Sequence, residues 1–290
     1  MRKEYVVSTR GRVMALGRRT WIMGIINVTP DSFYPGSRTA AGAAALEMAK
    51  RMIDEGADIL DVGGESTRPG ADPVTESEEL ERVVPVVEGI RQISNIFISV
   101  DTYKSGIAEA VLEAGADLIN DVSGLHWDSD MAQAVARFAA AAVVMHIRGT
   151  PKTMQTLAPS EDIFAEVETW LRDSLEKASA AGLGHDKIIV DPGIGFGKSL
   201  TENLRILRNL DYFQRLDCPV LVGPSRKSFI GKILDEEVQE RLWGTAAAIT
   251  CGVLAGAHIV RVHDIAPIKA VAKVADAFAA IENLAADGCE

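Results

Sequence analysis

Ile96-Phe97-Ile98-Ser99-Val100-Asp101, then Lys104–Ala114, then Leu118-Ile119-Asn120 make up one unit of a pattern that runs through this chain. A short apolar run ends in a polar side chain, a stretch with helical periodicity follows, and the next apolar run again ends in a polar side chain. Working outward, Trp21–Ile26 precedes Asn27, Ile59–Leu60 precedes Asp61, Ala142–Met145 precedes His146, and Ile188–Val190 precedes Asp191. Pro219–Val222 leads into Ser225-Arg226-Lys227, and Ile259–Val262 carries Arg261 and runs into His263. This is the pattern of parallel strands, each followed by a helix. In such a fold the C-terminal ends of the strands meet on one face, so polar residues scattered along the chain become one site.

The helical stretches are expected at 40–55, 75–93, 104–114, 129–141, 163–181, 201–210, 238–255 and 265–284. In the last, Ile268, Val271, Ala275, Phe278 and Ile281 lie on one stripe, the mark of a helix with one buried face. An open doubly wound sheet is the alternative, but eight successive units in about 265 residues favour a closed (β/α)8 TIM barrel. Tyr5–Ser8 and Arg12–Leu16 flank Thr9-Arg10-Gly11 and read as a β-hairpin that caps the bottom of that barrel. Residues 1–20 would be this extension and 21–290 a single barrel domain. The loops expected to shape the site are 28–39, 63–73, 147–161 and 223–232, three of them rich in Gly and Pro.

The chain of 290 residues is long enough to bury one large core, and no Pro/Ser-rich linker or charge block divides it. A net charge of −11 argues against general nucleic-acid binding and means that any anion site must be locally basic. Cys218, Cys251 and Cys289 are dispersed without metal spacing, which suggests free thiols in a reducing compartment. Met1-Arg2-Lys3-Glu4 opens no signal peptide, and the most apolar stretch, Ala246–Ala257, is too short to span a membrane. A soluble, cytoplasmic protein is expected.

Asp101, Asn120 and Asp191 at three strand ends form the first candidate constellation. Two carboxylates and an amide offer acceptors to a flat heterocycle with several N–H groups, and a guanidine-like edge suits a carboxylate because two parallel hydrogen bonds form at once. Each residue taken singly also reads as a cap for the next helix or turn; three at matching ends weigh toward a site. Arg261 and His263, two apart on a strand, share a face and make a prospective anion site, with an ion pair to Asp264 or another barrel acid as the equal alternative. Asn27 on the neighbouring strand could offer one oxygen to Mg2+, an ion that takes few protein ligands and the rest from phosphate and water.

Gly193-Ile194-Gly195-Phe196-Gly197-Lys198-Ser199 is not a phosphate loop, because Pro192 stands where the first glycine is needed. It is not a dinucleotide fingerprint either, because Lys198 stands where the last glycine should be. The glycines instead allow close backbone approach to a planar ligand, with Phe196 near its face. Lys227 reads either as a Schiff-base lysine or as a fixed cation that hydrogen-bonds a carbonyl. Ser66-Thr67-Arg68-Pro69-Gly70 supplies hydroxyls and a guanidinium but reads equally as a plain turn.

Five segments taken together resemble the dihydropteroate synthases: Asn27-Val28-Thr29-Pro30-Asp31-Ser32-Phe33, Asp61-Val62-Gly63-Gly64-Glu65-Ser66-Thr67-Arg68-Pro69-Gly70, Asp191-Pro192-Gly193-Ile194-Gly195-Phe196-Gly197-Lys198, Ser225-Arg226-Lys227-Ser228-Phe229 and Arg261-Val262-His263-Asp264. The likeness runs from about Trp21 to the C-terminus. It implies a homodimeric barrel enzyme of folate biosynthesis that joins 7,8-dihydropterin-6-ylmethyl diphosphate to 4-aminobenzoate, with Mg2+, and that is a sulfonamide target. It further implies that Asp101, Asn120, Asp191 and Lys227 hold the pterin, that Met145 and Phe196 line its pocket and that Arg261 covers the ring. Asn27, Arg261 and His263 would serve the diphosphate, with Asn27 on the metal. Phe33, Thr67, Arg68, Pro69 and Ser228 would surround 4-aminobenzoate. Asp101, Lys227 and Arg261 would be catalytic, and Asp61 matches a motif residue without an assigned role.

Two positions depart from the resemblance. Tyr34-Pro35 stands where the family commonly has a small or acidic residue before Gly, and Arg148 where Gln is common. Both bear on the closed geometry of the loops and on sulfonamide affinity. A methyltetrahydrofolate:corrinoid methyltransferase would share a pterin-holding barrel but needs no diphosphate site. A pterin-binding subunit without catalysis would be marked by loss of a first- or second-loop motif, and both motifs are present.

Overall fold

The computed structural model describes residues 2–28, 38–67, 70–154 and 156–281. It begins with β1 (Tyr5–Thr9) and β2 (Arg12–Leu16), an antiparallel pair in which Thr9 faces Arg12 across a two-residue turn. Arg10 and Gly11 both take positive φ, +47° and +77°, the conformation that a tight hairpin turn requires to match strand twist. Alternation then sorts the side chains: Val7, Met14 and Leu16 are buried, and Val6 and Val13 are exposed.

The remaining elements alternate, save that two helices separate β9 from β10: β3 (Trp21–Asn27), α1 (Arg38–Asp54), β4 (Ile59–Gly63), α2 (Glu76–Ile93), β5 (Phe97–Asp101), α3 (Ser105–Glu113), β6 (Leu118–Asp121), α4 (Met131–Arg137), β7 (Ala141–Met145), α5 (Ile163–Ala180), β8 (Ile188–Asp191), α6 (Leu200–Arg208), β9 (Leu221–Val222), α7 (Ser228–Leu234), α8 (Leu242–Leu254), β10 (Ile259–Val262) and α9 (Ile265–Ala279). All neighbouring strands from β3 onward pair in parallel, in the order β8-β7-β6-β5-β4-β3-β10-β9. A bridge between Val190 and Val220, with Val190 N–H donating to Pro219 C=O at 3.0 Å, joins the two outer strands and closes an eight-stranded barrel. β9 is short: just before it the Val220 N–H goes to His258 Nδ1 at 3.0 Å rather than to a ladder, and Gly223-Pro224 follows it.

Period-two alternation splits each strand between two cores. Ile22, Leu60, Ile98, Ile119, Ala142, Val190, Val222 and Val260 point outward under the helices. Met23, Ile59, Leu118, Ala141, Val143, Ile189, Leu221 and Ile259 point inward at the bottom, where Val7, Met14 and Leu16 of the hairpin plug them. Hydrogen bonds fix the plug: Thr9 Oγ1 donates to Asp117 C=O, and Arg10 N–H donates to Ala139 C=O at 2.9 Å. The bottom is thus apolar and sealed, and polar interior residues collect at the other end.

Four helix expectations need correction. α4 stops at Arg137 rather than running to 141: Ala139 sits in the left-handed region at φ +51°, and Ala141 is already strand. The stretch 223–232, expected as loop, contains α7. α8 starts at Leu242 rather than 238, after a short 3-10 turn. In the α9 segment Ile268, Ala272 and Ala275 are buried, but Phe278 and Ile281 are exposed, so the apolar stripe outruns the core it packs on. Among the described residues no helix is long and apolar enough to cross a membrane.

Candidate active site

Interior parity carries Asp61 (β4), Asp101 (β5), Asn120 (β6), Asp191 (β8) and Arg261 (β10) to the upper end of the barrel, all but Arg261 buried. Arg261 is the hub. Its Nε donates to Asp61 Oδ2 at 2.6 Å and its Nη2 to Asp101 Oδ2 at 2.8 Å. Asn120 Nδ2 donates to the same Asp61 oxygen at 3.2 Å. One guanidinium therefore holds two carboxylates from adjacent strands.

The second oxygens of both carboxylates, Asp61 Oδ1 and Asp101 Oδ1, are buried with no hydrogen-bond partner among the described residues. A buried acceptor without a donor costs free energy. Two such acceptors in one cluster suit a ligand bearing N–H groups.

Burial pushes the Asp101 carboxyl up to about 7; Arg261 pulls it down, while Asp61 and Glu79 raise it further. Asp191 is pushed up to about 6 by burial, against the Gly193 N–H that donates to its Oδ1 at 2.7 Å. Burial also works against the charge of Arg261, but Asp61 and Asp101 outweigh it and hold the guanidinium firmly protonated.

Lys227 reaches the same region from the loop after β9, its Nζ 3.8 Å from the centre of the Phe196 ring. Gly195, at φ +84°, makes this approach possible, because a Cβ there would lie 2.8 Å from Lys227 Cδ. Gly193 packs as tightly against the C=O of His146. Phe196 and Met145 join Val122, Ile147 and Met154 in a small apolar cluster at the rim. His263 stands just past β10, its Nδ1 paired with Ser225 Oγ at 2.9 Å.

The profile of the family described as "Pterin binding enzyme" matches residues 23–263. The dihydropteroate synthase of Synechocystis is 45% identical over 262 residues, 90% of this chain and 91% of that protein. The chain belongs to the dihydropteroate synthase family. Among solved structures of that family, the Burkholderia cenocepacia dihydropteroate synthase complexed with 7,8-dihydropteroate has a TM-score of 0.86 at 39% identity, covering 96% of this chain and 98% of that one. The Yersinia pestis dihydropteroate synthase with a sulfonamide drug has a TM-score of 0.89 at 38% identity, covering 95% and 99%.

Of the residues that the dihydropteroate synthase resemblance points to, Asp101, Asn120, Asp191, Lys227, Arg261, Met145 and Phe196 converge on the barrel mouth. The ion-pair alternative for Arg261 is realised, though with Asp61 and Asp101 rather than Asp264, which pairs with Arg226. Asn27 ends β3 in register with Gly63, which is itself in register with Asp101. Thr67 follows β4 and is half-buried, and Ser228 opens α7 and is exposed. Phe33, Arg68 and Pro69 lie outside the described residues, as do Tyr34 and Pro35. Arg148 sits away from the Arg261 cluster, pairing with Glu166 at 2.8 Å and donating to Gly197 C=O at 3.2 Å.

Asp61, His146 and Lys198 stand in the sequence pattern without an assigned role. Asp61 lies at the centre of the cluster. Its parity with Gly63, and so with the strand end, was the available signal. His146, although at a strand end, turns away from the barrel: it is buried and held neutral, its pKa pushed down to about 3 by burial and then by Lys198, whose Nζ lies 2.9 Å from its Nδ1. Lys198, pushed down to about 7 by burial, also donates to the carbonyls of Gly193 (2.8 Å) and Phe196 (3.2 Å), tying down the glycine loop.

Among the described residues no group of three His, Cys, Asp or Glu side chains could hold a metal ion by itself. The amide of Asn27 offers one oxygen. That fits a Mg2+ whose remaining ligands come from a substrate's phosphates and water, and no resident metal cage.

Proposed function

We propose that this chain condenses 7,8-dihydropterin-6-ylmethyl diphosphate with 4-aminobenzoate to give 7,8-dihydropteroate and diphosphate. The carrying observation is the Arg261–Asp61–Asp101 cluster with its two carboxylate oxygens that find no partner among the described residues. The guanidine-like edge of a pterin presents adjacent N–H donors, and Asp101, Asn120 and Asp191 receive them from three sides of the mouth. Lys227 donates to the ring carbonyl, Phe196 and Met145 supply apolar contact, and the Arg261 guanidinium covers the ring face. His263, Arg261 and Asn27 face the diphosphate, and Phe33, Thr67, Arg68, Pro69 and Ser228 border the 4-aminobenzoate.

These residue types suit an SN1-like displacement. The methylene C–O bond breaks with its electron pair leaving on diphosphate, and Arg261 and His263 favour that charge. Mg2+, when bound at Asn27, supplies further neutralisation of the diphosphate. The ionised Asp101 beside the ring stabilises the positive charge that spreads from the methylene into the pterin. The amine lone pair then forms the C–N bond, and the proton it sheds is acidic enough to pass to water. No covalent enzyme intermediate is required, and Lys227 acts as a fixed cation.

The chain acts as a homodimer in the cytoplasm. Trp243, Leu254, Val274, Phe278 and Ile281, all exposed on or just after the packed helices α8 and α9, support the first, and the unpaired Cys218 and Cys251 support the second. Sulfonamides, as mimics of 4-aminobenzoate, compete at its subsite. Incubating the folded protein with both substrates and Mg2+ should yield dihydropteroate, with a sulfonamide competing against 4-aminobenzoate. Folded protein that binds the pterin but forms no product would overturn this reading.

A further inference from the structure

The ladder between β9 and β10 ends at Val222, paired with Val260. Residues 223–228, which deliver Lys227 and Ser228 to the barrel mouth, therefore leave the sheet without a backbone ladder to β10. Side chains continue the pairing instead. Ser225 Oγ accepts the His263 backbone N–H at 3.3 Å and pairs with His263 Nδ1 at 2.9 Å. One residue further, Arg226 forks onto Asp264, Nε to Oδ2 at 3.1 Å and Nη2 to Oδ1 at 2.6 Å.

Arg226 is also one of the non-glycine residues held in the left-handed region, at φ +57°. Separate elements hold it there. Its N–H donates to Oγ1 of Thr245, fully buried in α8, at 3.0 Å. Its C=O accepts from Arg241 Nη1 at 3.2 Å. A strained backbone persists where its surroundings over-determine it, and such positions cluster at functional sites. Arg226 precedes Lys227, and Asp264 follows His263.

We propose that Arg226 and Asp264 are positioning residues for the transfer reaction. Their fork fixes the separation between Lys227, on the pterin, and the anion site at Arg261 and His263, so that one substrate carrying both a pterin and a diphosphate engages both at once. This rests on the synthase reading and adds a spacing device to it. A spacing device has a distinctive consequence: it matters to the joined substrate and little to either half.

The test compares wild type with Arg226→Gly and Asp264→Asn. Glycine adopts φ +57° without strain, so Arg226→Gly removes the fork and keeps the backbone. Arg226→Lys, which keeps the charge and loses the bidentate geometry, serves if the glycine variant does not fold. The probes are inorganic diphosphate, 6-hydroxymethyl-7,8-dihydropterin and the joined dihydropterin methyl diphosphate. Each half should bind within about threefold of wild type, whereas kcat/KM for the joined substrate should fall by about 10- to 100-fold, mostly through KM. Unchanged kinetics on the joined substrate would overturn the proposal. So would equal weakening of all three ligands, the mark of general loosening, or tighter diphosphate binding in Asp264→Asn, the mark of Arg226 as an anion ligand released from its partner. Wild-type protein that fails to convert the joined substrate would instead refute the synthase reading.

Discussion

Asp101 and Asp191 lie buried in the barrel mouth, and burial decides how each responds to pH. Both are raised, to about 7 and about 6, above the ordinary carboxylate value of 3.8. In the window between 3.8 and those values the folded chain keeps protons that the unfolded chain has released, so these two groups make folding less favourable as pH rises through it. The ligand's demand is opposite, because N–H donors bind a carboxylate better than a carboxylic acid. Affinity for a pterin without its diphosphate should therefore climb between about pH 5.5 and pH 8, and Asp101→Asn should both weaken it and flatten the climb. Titration calorimetry across that range checks this, and a flat wild-type profile would count against an ionised pair receiving the pterin. At this scale the sequence was legible wherever a polar residue ended an apolar run. Asp61 ends such a run too, but its role stays open in the sequence, because that role depends on Arg261 arriving from β10, 200 residues away in sequence.

The hairpin β1–β2 and the barrel mouth are at opposite ends of the same strands, which separates stability from activity. Met14 is fully buried against the bottom layer of the barrel. Met14→Ala should cost about 2–5 kcal/mol of stability, because the sealed bottom relaxes only partly around the cavity. kcat should stay close to wild type at temperatures where the variant is folded. Chemical denaturation with parallel kinetics checks this, and a matched loss of kcat would mean that the plug communicates with the mouth. Most element positions followed from periodicity, since alternating and helical spacings differ sharply here. The misread ones have local causes. Ala139 leaves the helix through a left-handed turn that an alanine-rich segment does not advertise, and α7 is a short helix in a stretch whose Gly and Pro suggested loop. The α9 stripe predicts one buried face, but its last apolar residues, Phe278 and Ile281, are exposed.

Across the whole molecule, the parallel order of the strands from β3 onward and the β8–β9 bridge turn residues from Asn27 to His263 into neighbours. No single segment holds the site, and its chemistry exists only when the barrel closes. That is why the strand-end pattern implied a site before any geometry was known, whereas the partners within it, Arg261 with Asp61 above all, depend on barrel curvature and strand stagger. The role of Arg261 and Lys227 is tested most directly by measuring diphosphate release and dihydropteroate formation together, with and without 4-aminobenzoate, in wild type, Arg261→Ala and Lys227→Ala. Wild type should form both products in equal amounts when 4-aminobenzoate is present, and each variant should fold yet lose at least about 100-fold in kcat/KM. Wild-type turnover that survives in both variants would contradict that role, because the reaction would then proceed without the guanidinium and the cation on which the site is built.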